Sequence, residues 1–164
     1  MDRATRPDTD FQQTIPFTMH RVTAMTVANA TEEFATYGIN VQGARVLIVV
    51  LQNKDVRIGE IAEMTCIEFS TLSHMLRRLE HDGLIKRTRL PNDNRSVTIA
   101  LTRYGRRIAE EVHEIVKSHQ STMLAGIPRA DIAVLRRVLS RMAENVGASV
   151  RAKADCVAAS NAGK

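Results

Sequence analysis

The sequence predicts a mainly α-helical protein with a small antiparallel β element of two to three strands, an α+β fold. Apolar residues recur at helical spacing over most of the 164 residues. Aromatic residues make up only 4% of the chain and tryptophan is absent, which favours a helical core of Leu, Val, Ala and Met over aromatic-rich strands. Two short runs on either side of a turn-forming segment at 91–94 are the candidate strands.

The first half of the chain is predicted to form four helices. The first, over about 12–37, has Pro16 near its start and Gly38 as a candidate C′ residue. Its apolar residues fall in two stripes, which indicates contacts on more than one side. Asn40 is a candidate N-cap for a helix over 41–52, and after a turn at 53–57 a short helix ends near residue 65.

The fourth predicted helix, over 69–82 with Gly83 at its end, has two chemically different faces. Leu72, Met75, Leu76 and Leu79 follow the i, i+3, i+4, i+7 spacing of a buried stripe. The opposite face has no carboxylate before Glu80. It carries Ser70, His74, Arg77 and His81, flanked by Thr71, Ser73 and Arg78.

Residues 85–90 and 96–101 are the strand candidates, and Thr102 is a candidate N-cap for the next helix, over 103–125. That helix is expected to bury Ile108, Val112, Ile115 and Met123. Gly126 closes it and Pro128 opens the last helix. One face of the last helix carries Leu135, Val138, Leu139, Met142 and Val146.

Positive charge is concentrated in the middle of the chain. The whole protein has a formal net charge of +5, whereas residues 77–107 alone contain nine basic residues against the three acidic residues Glu80, Asp82 and Asp93. A short helix, a turn, a helix with a non-acidic outer face and a hairpin form a winged helix-turn-helix, which suits duplex DNA. The basic residues would then meet phosphates. They are Arg77, Arg78, Lys86, Arg87, Arg89, Arg95, Arg103, Arg106 and Arg107.

A helical protein-interaction module is the alternative, in which the same basic face meets an acidic protein or is simply solvated. Charge alone does not separate the two. The combination of charge with helix-turn-helix spacing and a wing favours DNA.

Three runs, STLSHMLRRLEHDGLIKR, DNRS and IALTRYG, resemble the winged-helix core of the MarR family of bacterial transcription regulators, over about residues 41–107. The resemblance implies a homodimer on a pseudo-palindromic operator, usually as a repressor. It implies that Arg95 is the wing-tip arginine and that Asp93 holds the wing in shape. It also implies that Ser70, Thr71, Ser73, His74 and Arg77 lie at the major groove.

The sequence departs from the common family pattern at three places. Asn94 stands where a first arginine often follows the wing aspartate, and His74 stands where arginine is frequent. Glu68 and Phe69 replace a more usual Ser-Pro-like start of the helix. These differences leave DNA binding as the expectation but leave the operator sequence open.

The expected domain plan combines these elements with a helical dimerisation region built, as in the family, from the first and last two helices. It comprises a flexible N-terminus (1–10), an N-terminal dimerisation helix (11–40), the winged helix-turn-helix (41–102), C-terminal dimerisation helices (103–150) and a flexible tail (151–164).

Ligand binding is an expectation that rests on the resemblance. Family members commonly respond to a small molecule, often an aromatic carboxylate or another phenolic compound, bound between the dimer helices and the winged domain. Arg21 and Arg45 are the preferred carboxylate partners, because a guanidinium pairs with a carboxylate through two hydrogen bonds. Ordinary packing is the competing interpretation of every candidate. The candidates are Phe17, His20, Arg21, Phe34, Arg45 and His113.

Cys66, in the turn before the 69–82 helix, supports a further alternative, a redox-responsive regulator in which oxidation displaces that helix. Glu68 nearby counts against it, because a reactive thiol needs an electropositive setting. The histidines do not indicate a metal site, since no i, i+4 pair has a third carboxylate ligand. His119 continues an apolar stripe and is better explained as a packed or interface residue.

No cofactor is expected, and no enzyme is indicated, because the chain has no Gly-rich phosphate loop or nucleophile elbow. The start of the chain is unlike a signal peptide, and the longest apolar run, 46–51, is too short to cross a bilayer. Cys66 and Cys156 are a poor disulfide framework. We therefore expect a cytoplasmic protein with no membrane partner.

Overall fold

The fold is mainly helical with one small antiparallel sheet. The computed structural model describes the backbone of residues 11–90 and 93–162 and the side chains of residues 11–88 and 97–147. By contacts within the chain, Met1–Gln120 and Ser121–Lys164 form separate units. The elements are a 3-10 helix (Phe11–Gln13), α1 (Ile15–Ala35), α2 (Val41–Gln52), β1 (Val56–Arg57), α3 (Ile58–Thr65), α4 (Phe69–His81), β2 (Ile85–Leu90), β3 (Asp93–Leu101), α5 (Arg103–Met123) and α6 (Arg129–Ala162).

Local sequence signals place the ends of the early helices. Pro16 lies in the first turn of α1, where its missing N–H leaves no helical hydrogen bond unmade. Gly38 follows the helix with a φ of 69°, as predicted for a C′ residue. The side chain of Asn40 accepts a 2.7 Å hydrogen bond from the backbone N–H of Gly43, which confirms the predicted N-cap of α2.

The sheet has the order β1-β3-β2 among the described residues, with both pairings antiparallel. The segment 53–57 was predicted as a turn, but Val56 and Arg57 pair with Ile99 and Thr98 and form β1. A two-residue strand is too short to show alternation in the sequence.

The predicted start of β3 at residue 96 was also wrong, because the strand begins at Asp93. The register shifts between Arg89 and Leu90, so that Leu90 pairs with Asp93. Asp93 and Asn94 therefore belong to the strand rather than to the predicted loop. Pro91 and Asn92 lie outside the described residues.

The core of the first unit is formed by apolar faces of α1 to α5 and the sheet. Leu72, Leu76 and Leu79 of α4 are buried and Met75 is half-buried, which confirms the predicted inner stripe. Met123 is exposed, so its predicted burial was wrong. The other large side chains that are almost completely buried are Val46, Leu47, Ile61, Ile85, Ile99 and Val112.

The end of α4, the base of the wing and the start of α5 meet at one junction. Gly83 ends α4 with a φ of 70°. The Thr102 hydroxyl donates to the Gly83 carbonyl at 2.6 Å and accepts from the backbone N–H of Gly105 at 2.9 Å, which confirms the predicted N-cap of α5. A Cβ on Gly105 would lie 1.7 Å from the Leu84 carbonyl oxygen, so no other residue fits.

The N-terminus of α4 is capped by a residue that sequence reasoning did not recognise as a cap. The Glu68 carboxylate accepts hydrogen bonds from the Ser70 hydroxyl, from the Ser70 N–H at 2.8 Å and from the Thr71 N–H at 3.1 Å. These bonds, above all that from the Ser70 hydroxyl, lower the pKa of Glu68 from 4.5 to about 2. The ionised cap also complements the positive end of the helix dipole.

In the second unit, α6 runs as a helix from Arg129 to Ala162. Residues 151–162 of the segment expected to be a flexible tail lie within this helix, and the flexibility of the tail stays a prediction. Alanine and lysine, which prompted the expectation, are also good helix formers.

We predict that Gly105→Ala destabilises the protein by about 2–4 kcal/mol, because the added methyl group overlaps the Leu84 carbonyl. Gly59→Ala is the matched control: its Cβ would meet nothing within 4 Å, and we expect a change between zero and about 1 kcal/mol of stabilisation. Urea unfolding of both variants measures the difference. Equal stability of the two would contradict the close approach at Gly105.

We predict that Glu68→Ala lowers the unfolding temperature at pH 7 and that this deficit shrinks as the pH falls below about 5. The folded-state pKa of Glu68 is lowered, so its contribution is complete above the unfolded value near 4.5 and is lost as the pH falls towards about 2. Glu63→Ala, which removes an exposed carboxylate from α3, is the control. A deficit that stays constant between pH 7 and pH 3 would refute the capping role.

Candidate nucleic-acid interface

The outer face of α4 is a row of exposed polar side chains on a fixed helix. Its buried stripe prevents the helix from rotating about its own axis, so the opposite face has one orientation. Five of the six predicted DNA-contact residues on α4 are exposed and Ser73 is half-buried. The six are Ser70, Thr71, Ser73, His74, Arg77 and Arg78.

Four of these side chains have hydrogen-bond partners within the protein. The Ser70 hydroxyl donates to Glu68, which leaves its oxygen lone pairs free to accept. An Arg77 guanidinium nitrogen lies 3.0 Å from the Nδ1 of His74. Arg78 lies 3.7 Å from the Asp82 carboxylate and donates to the Gly38 carbonyl at 3.5 Å.

The wing is joined to α4 by an ion pair. Arg87 of β2 lies 3.0 Å from Glu80 of α4, and both side chains are partly shielded from solvent. Arg87 was expected to meet phosphate, but its guanidinium already has an anionic partner. Arg89 lies on β2, and Asp93 and Arg95 lie on β3; their side chains are outside the described part of the structure.

Further positive charge lies at the start of α5. Arg103, Arg106 and Arg107 are exposed on the turns that follow the wing. Arg107 lies over the ring of Tyr104, 5.4 Å from its centroid, and 3.9 Å from Glu111. The basic residues near the wing therefore differ in how much of their charge is already balanced.

The candidate ligand residues have very different environments. Phe34 is 2% exposed and belongs to the core, whereas His20, Arg21 and Arg45 are exposed. Phe17 is half-buried, with its ring 5.1 Å from that of Phe11. No hydrogen bond or ion pair joins any two of the six candidates, all of which lie in the described residues.

His113 differs from the other candidates because it holds an unsatisfied polar atom. The residue is half-buried on α5, and its Nδ1 is buried with no hydrogen-bond partner among the described residues. A buried polar atom without a partner is unusual and costs stability unless something pairs with it. No signal in the sequence distinguished His113 from the other candidates in this way.

Two polar links join α5 to the end of α1. His119 Nε2 lies 2.8 Å from the Glu33 carboxylate, with only 17% of the His119 side chain exposed, as expected for a packed or interface histidine. The Tyr37 hydroxyl is hydrogen-bonded to Glu111; burial and this carboxylate raise the pKa of Tyr37 above its ordinary value of 10. Sequence spacing could not predict either pair.

Cys66 is exposed in a left-handed conformation with a φ of 54°, between α3 and α4. Its thiol approaches the Glu63 carbonyl at 3.8 Å, and redox sensitivity stays an untested hypothesis. Within the residues described, no group of three or more His, Cys, Asp or Glu side chains could hold a metal ion. No described helix is long and apolar enough to cross a membrane.

Comparison with known proteins gives matches that include the segment from α2 to the wing. The model of the MarR family matches residues 39–97. The chain is 28% identical over 100 residues to the HTH-type transcriptional regulator FarR of Neisseria gonorrhoeae, covering 61% of this chain and 68% of that protein. It is 26% identical over 102 residues to the HTH-type transcriptional repressor IacR of Pseudomonas putida, covering 62% of this chain and 61% of that protein.

The fold has solved counterparts. The structure of the S. aureus MepR–DNA complex matches with a TM-score of 0.74 and 19% identity, over 80% of this chain and 98% of that one. The matched relatives are transcriptional regulators rather than enzymes. Together with the wing and the exposed face of α4, these matches support a winged helix-turn-helix regulator of the MarR type, with the family model covering residues 39–97 of the 164.

Proposed function

We propose that this DNA-binding regulator is a cytoplasmic homodimeric repressor that leaves its operator when a small molecule binds. The observation that carries the proposal is the exposed face of α4, held by a buried stripe and joined to the wing through Arg87 and Glu80. The name of the relative from Pseudomonas putida describes a repressor, which supports the direction of regulation.

In the proposed complex α4 enters the major groove and the wing follows the adjacent minor groove. The fold shared with MepR, which was solved with DNA, supports this docking. Arg95 enters the minor groove, with Asp93 shaping the wing. Arg78, Arg87 and Arg89 contact phosphates, and the first two must then share their charge with Asp82 and Glu80. The groove residues are Ser70, Thr71, Ser73, His74 and Arg77.

Dimerisation is supported by apolar side chains that the single chain leaves in solvent. On α1, Ile15, Met19 and Val22 are 58%, 42% and 46% exposed, at helical spacing. The equivalent set on α6 is Val134, Leu135, Val138, Leu139 and Val146. Continuous apolar stripes of this kind mark protein interfaces, and a second copy of the chain would cover them.

The proposed ligand is an aromatic carboxylate or a phenol. His113 supports a ligand near α5, because its buried Nδ1 has no partner among the described side chains. Arg21 and Arg45 are exposed and could pair with a carboxylate. Phe17 and His20, on the same helix as Arg21, are weaker candidates. Phe34 is too deeply buried to contact a ligand without a rearrangement of the core.

We predict that the protein binds a duplex from the DNA upstream of its own gene more tightly than random DNA, with an affinity that falls steeply as salt rises. Arg95→Ala should weaken binding about 10-fold or more, whereas Arg141→Ala, the same charge change on α6, should not. Fluorescence anisotropy measures both. Benzoate or phenol is then added to the protein–DNA complex, and release of the protein from the duplex would lower the anisotropy. No preference for any upstream duplex at about physiological salt would refute the proposal.

The same assay separates the alternative of a protein-interaction module. That alternative predicts that an acidic protein partner is retained by Arg95→Ala and that duplex DNA competes poorly. Selective duplex binding that is lost in Arg95→Ala excludes it.

We predict that Val22→Asp converts the dimer to monomers, because it places a carboxylate within the exposed apolar stripe of α1. Thr23→Asp, one residue further on, is the matched control and should stay dimeric. Sedimentation equilibrium measures the mass of each variant. A dimeric Val22→Asp variant would show that this stripe is not part of the interface.

A further inference from the structure

His74 and Arg77 form a hydrogen-bonded pair on the outer face of α4. They are three residues apart, both are exposed, and the guanidinium lies 3.0 Å from the imidazole Nδ1. A guanidinium can only donate, so Nδ1 must accept and the ring proton of a neutral His74 lies on Nε2. The contact therefore sets both the tautomer of the histidine and the direction of the arginine.

The pair presents hydrogen-bond donors and no acceptor. Nδ1 is used by Arg77, which leaves the Nε2–H of His74 and the remaining N–H groups of the guanidinium facing outward. In the major groove guanine shows two neighbouring acceptors, N7 and O6, whereas adenine and cytosine each show a donor. A surface of α4 that offers only hydrogen-bond donors is thus complementary to the two acceptors of guanine.

Arg77 is also the arginine of α4 that is available for this role. Arg78, its neighbour, lies beside Asp82 and the Gly38 carbonyl. Among the described side chains no carboxylate lies within ion-pair distance of Arg77. A free arginine loses side-chain entropy when it is ordered on a base; an arginine already held by His74 loses less.

We infer that His74 and Arg77 act as one unit that recognises a guanine in each operator half-site, with Arg77 touching the base and His74 as a positioning residue. The inference rests on the proposed function and deepens it, because it assigns one base of the operator to one pair of side chains.

Binding of the preferred duplex and of every single-base-pair variant of one half-site tests the inference. Wild type should prefer guanine at one position by roughly 10- to 100-fold. Arg77→Lys keeps the charge but loses the forked pair of guanidinium donors. It should abolish the guanine preference and leave the affinity for random DNA within about 3-fold of wild type. Arg141→Lys, the same exchange on α6, is the matched control and should keep the wild-type base profile.

The His74 variants test the positioning role. His74→Ala removes the acceptor and should reduce the guanine preference by about 3- to 10-fold at unchanged salt dependence. In His74→Asn the amide oxygen takes the place of Nδ1, and the preference should be restored. Because both side chains are exposed, the folding of all variants should match wild type by circular dichroism.

Two results would overturn the inference while leaving the proposed function intact. One is a wild-type base profile in His74→Ala. The other is a uniform loss of affinity for all duplexes in Arg77→Lys, which would make Arg77 a phosphate contact. A wild-type protein without preference for any duplex would instead refute the proposed function, and this inference with it.

Discussion

The position of α4, the helix proposed to enter the major groove, depends on the close approach of Gly105 to the Leu84 carbonyl. At that point α4 has just ended, β2 is about to begin and α5 starts, so one contact fixes three elements. The Thr102 hydroxyl completes the junction by bonding Gly83 on one side and Gly105 on the other. A change in the angle between the wing and α4 would strain or break these bonds, so they stabilise the arrangement of the two elements.

Around that junction, charge is divided between structure and recognition. Arg87 is paired with Glu80 and holds the wing to α4, and Glu68 is committed to the first turn of the helix. Arg77 is paired with a neutral imidazole instead, so its full positive charge stays available. The excess of positive charge in residues 77–107 therefore overstates the charge that is free to meet phosphates, and a count of basic residues cannot separate the two groups.

Much of the fold follows from local sequence signals, because helix periodicity and caps act over a few residues. The bounds of α2, the Asn40 cap and the inner stripe of α4 were predicted correctly on that basis. β1 and the first residues of β3 were missed, since both depend on partners far along the chain. The outer face of α4 was predictable from 100° spacing, whereas the pairing of His74 with Arg77 depends on side-chain conformations that spacing does not determine.

The proposed ligand response requires a part of the molecule that can change while the junction at Gly105 stays intact. The links between α1 and α5 have the chemistry for it: Glu33 with His119 and Tyr37 with Glu111 are polar pairs near the surface, which water or a ligand can replace. The apolar contacts of the neighbouring Phe34 and Val112 cannot be exchanged in this way, because opening them exposes core surface to water. A ligand that pairs with His113 would bind to α5, the helix that starts at the junction. Such a ligand would therefore act on α5 and its contacts with α1, and through the junction at Gly105 on α4.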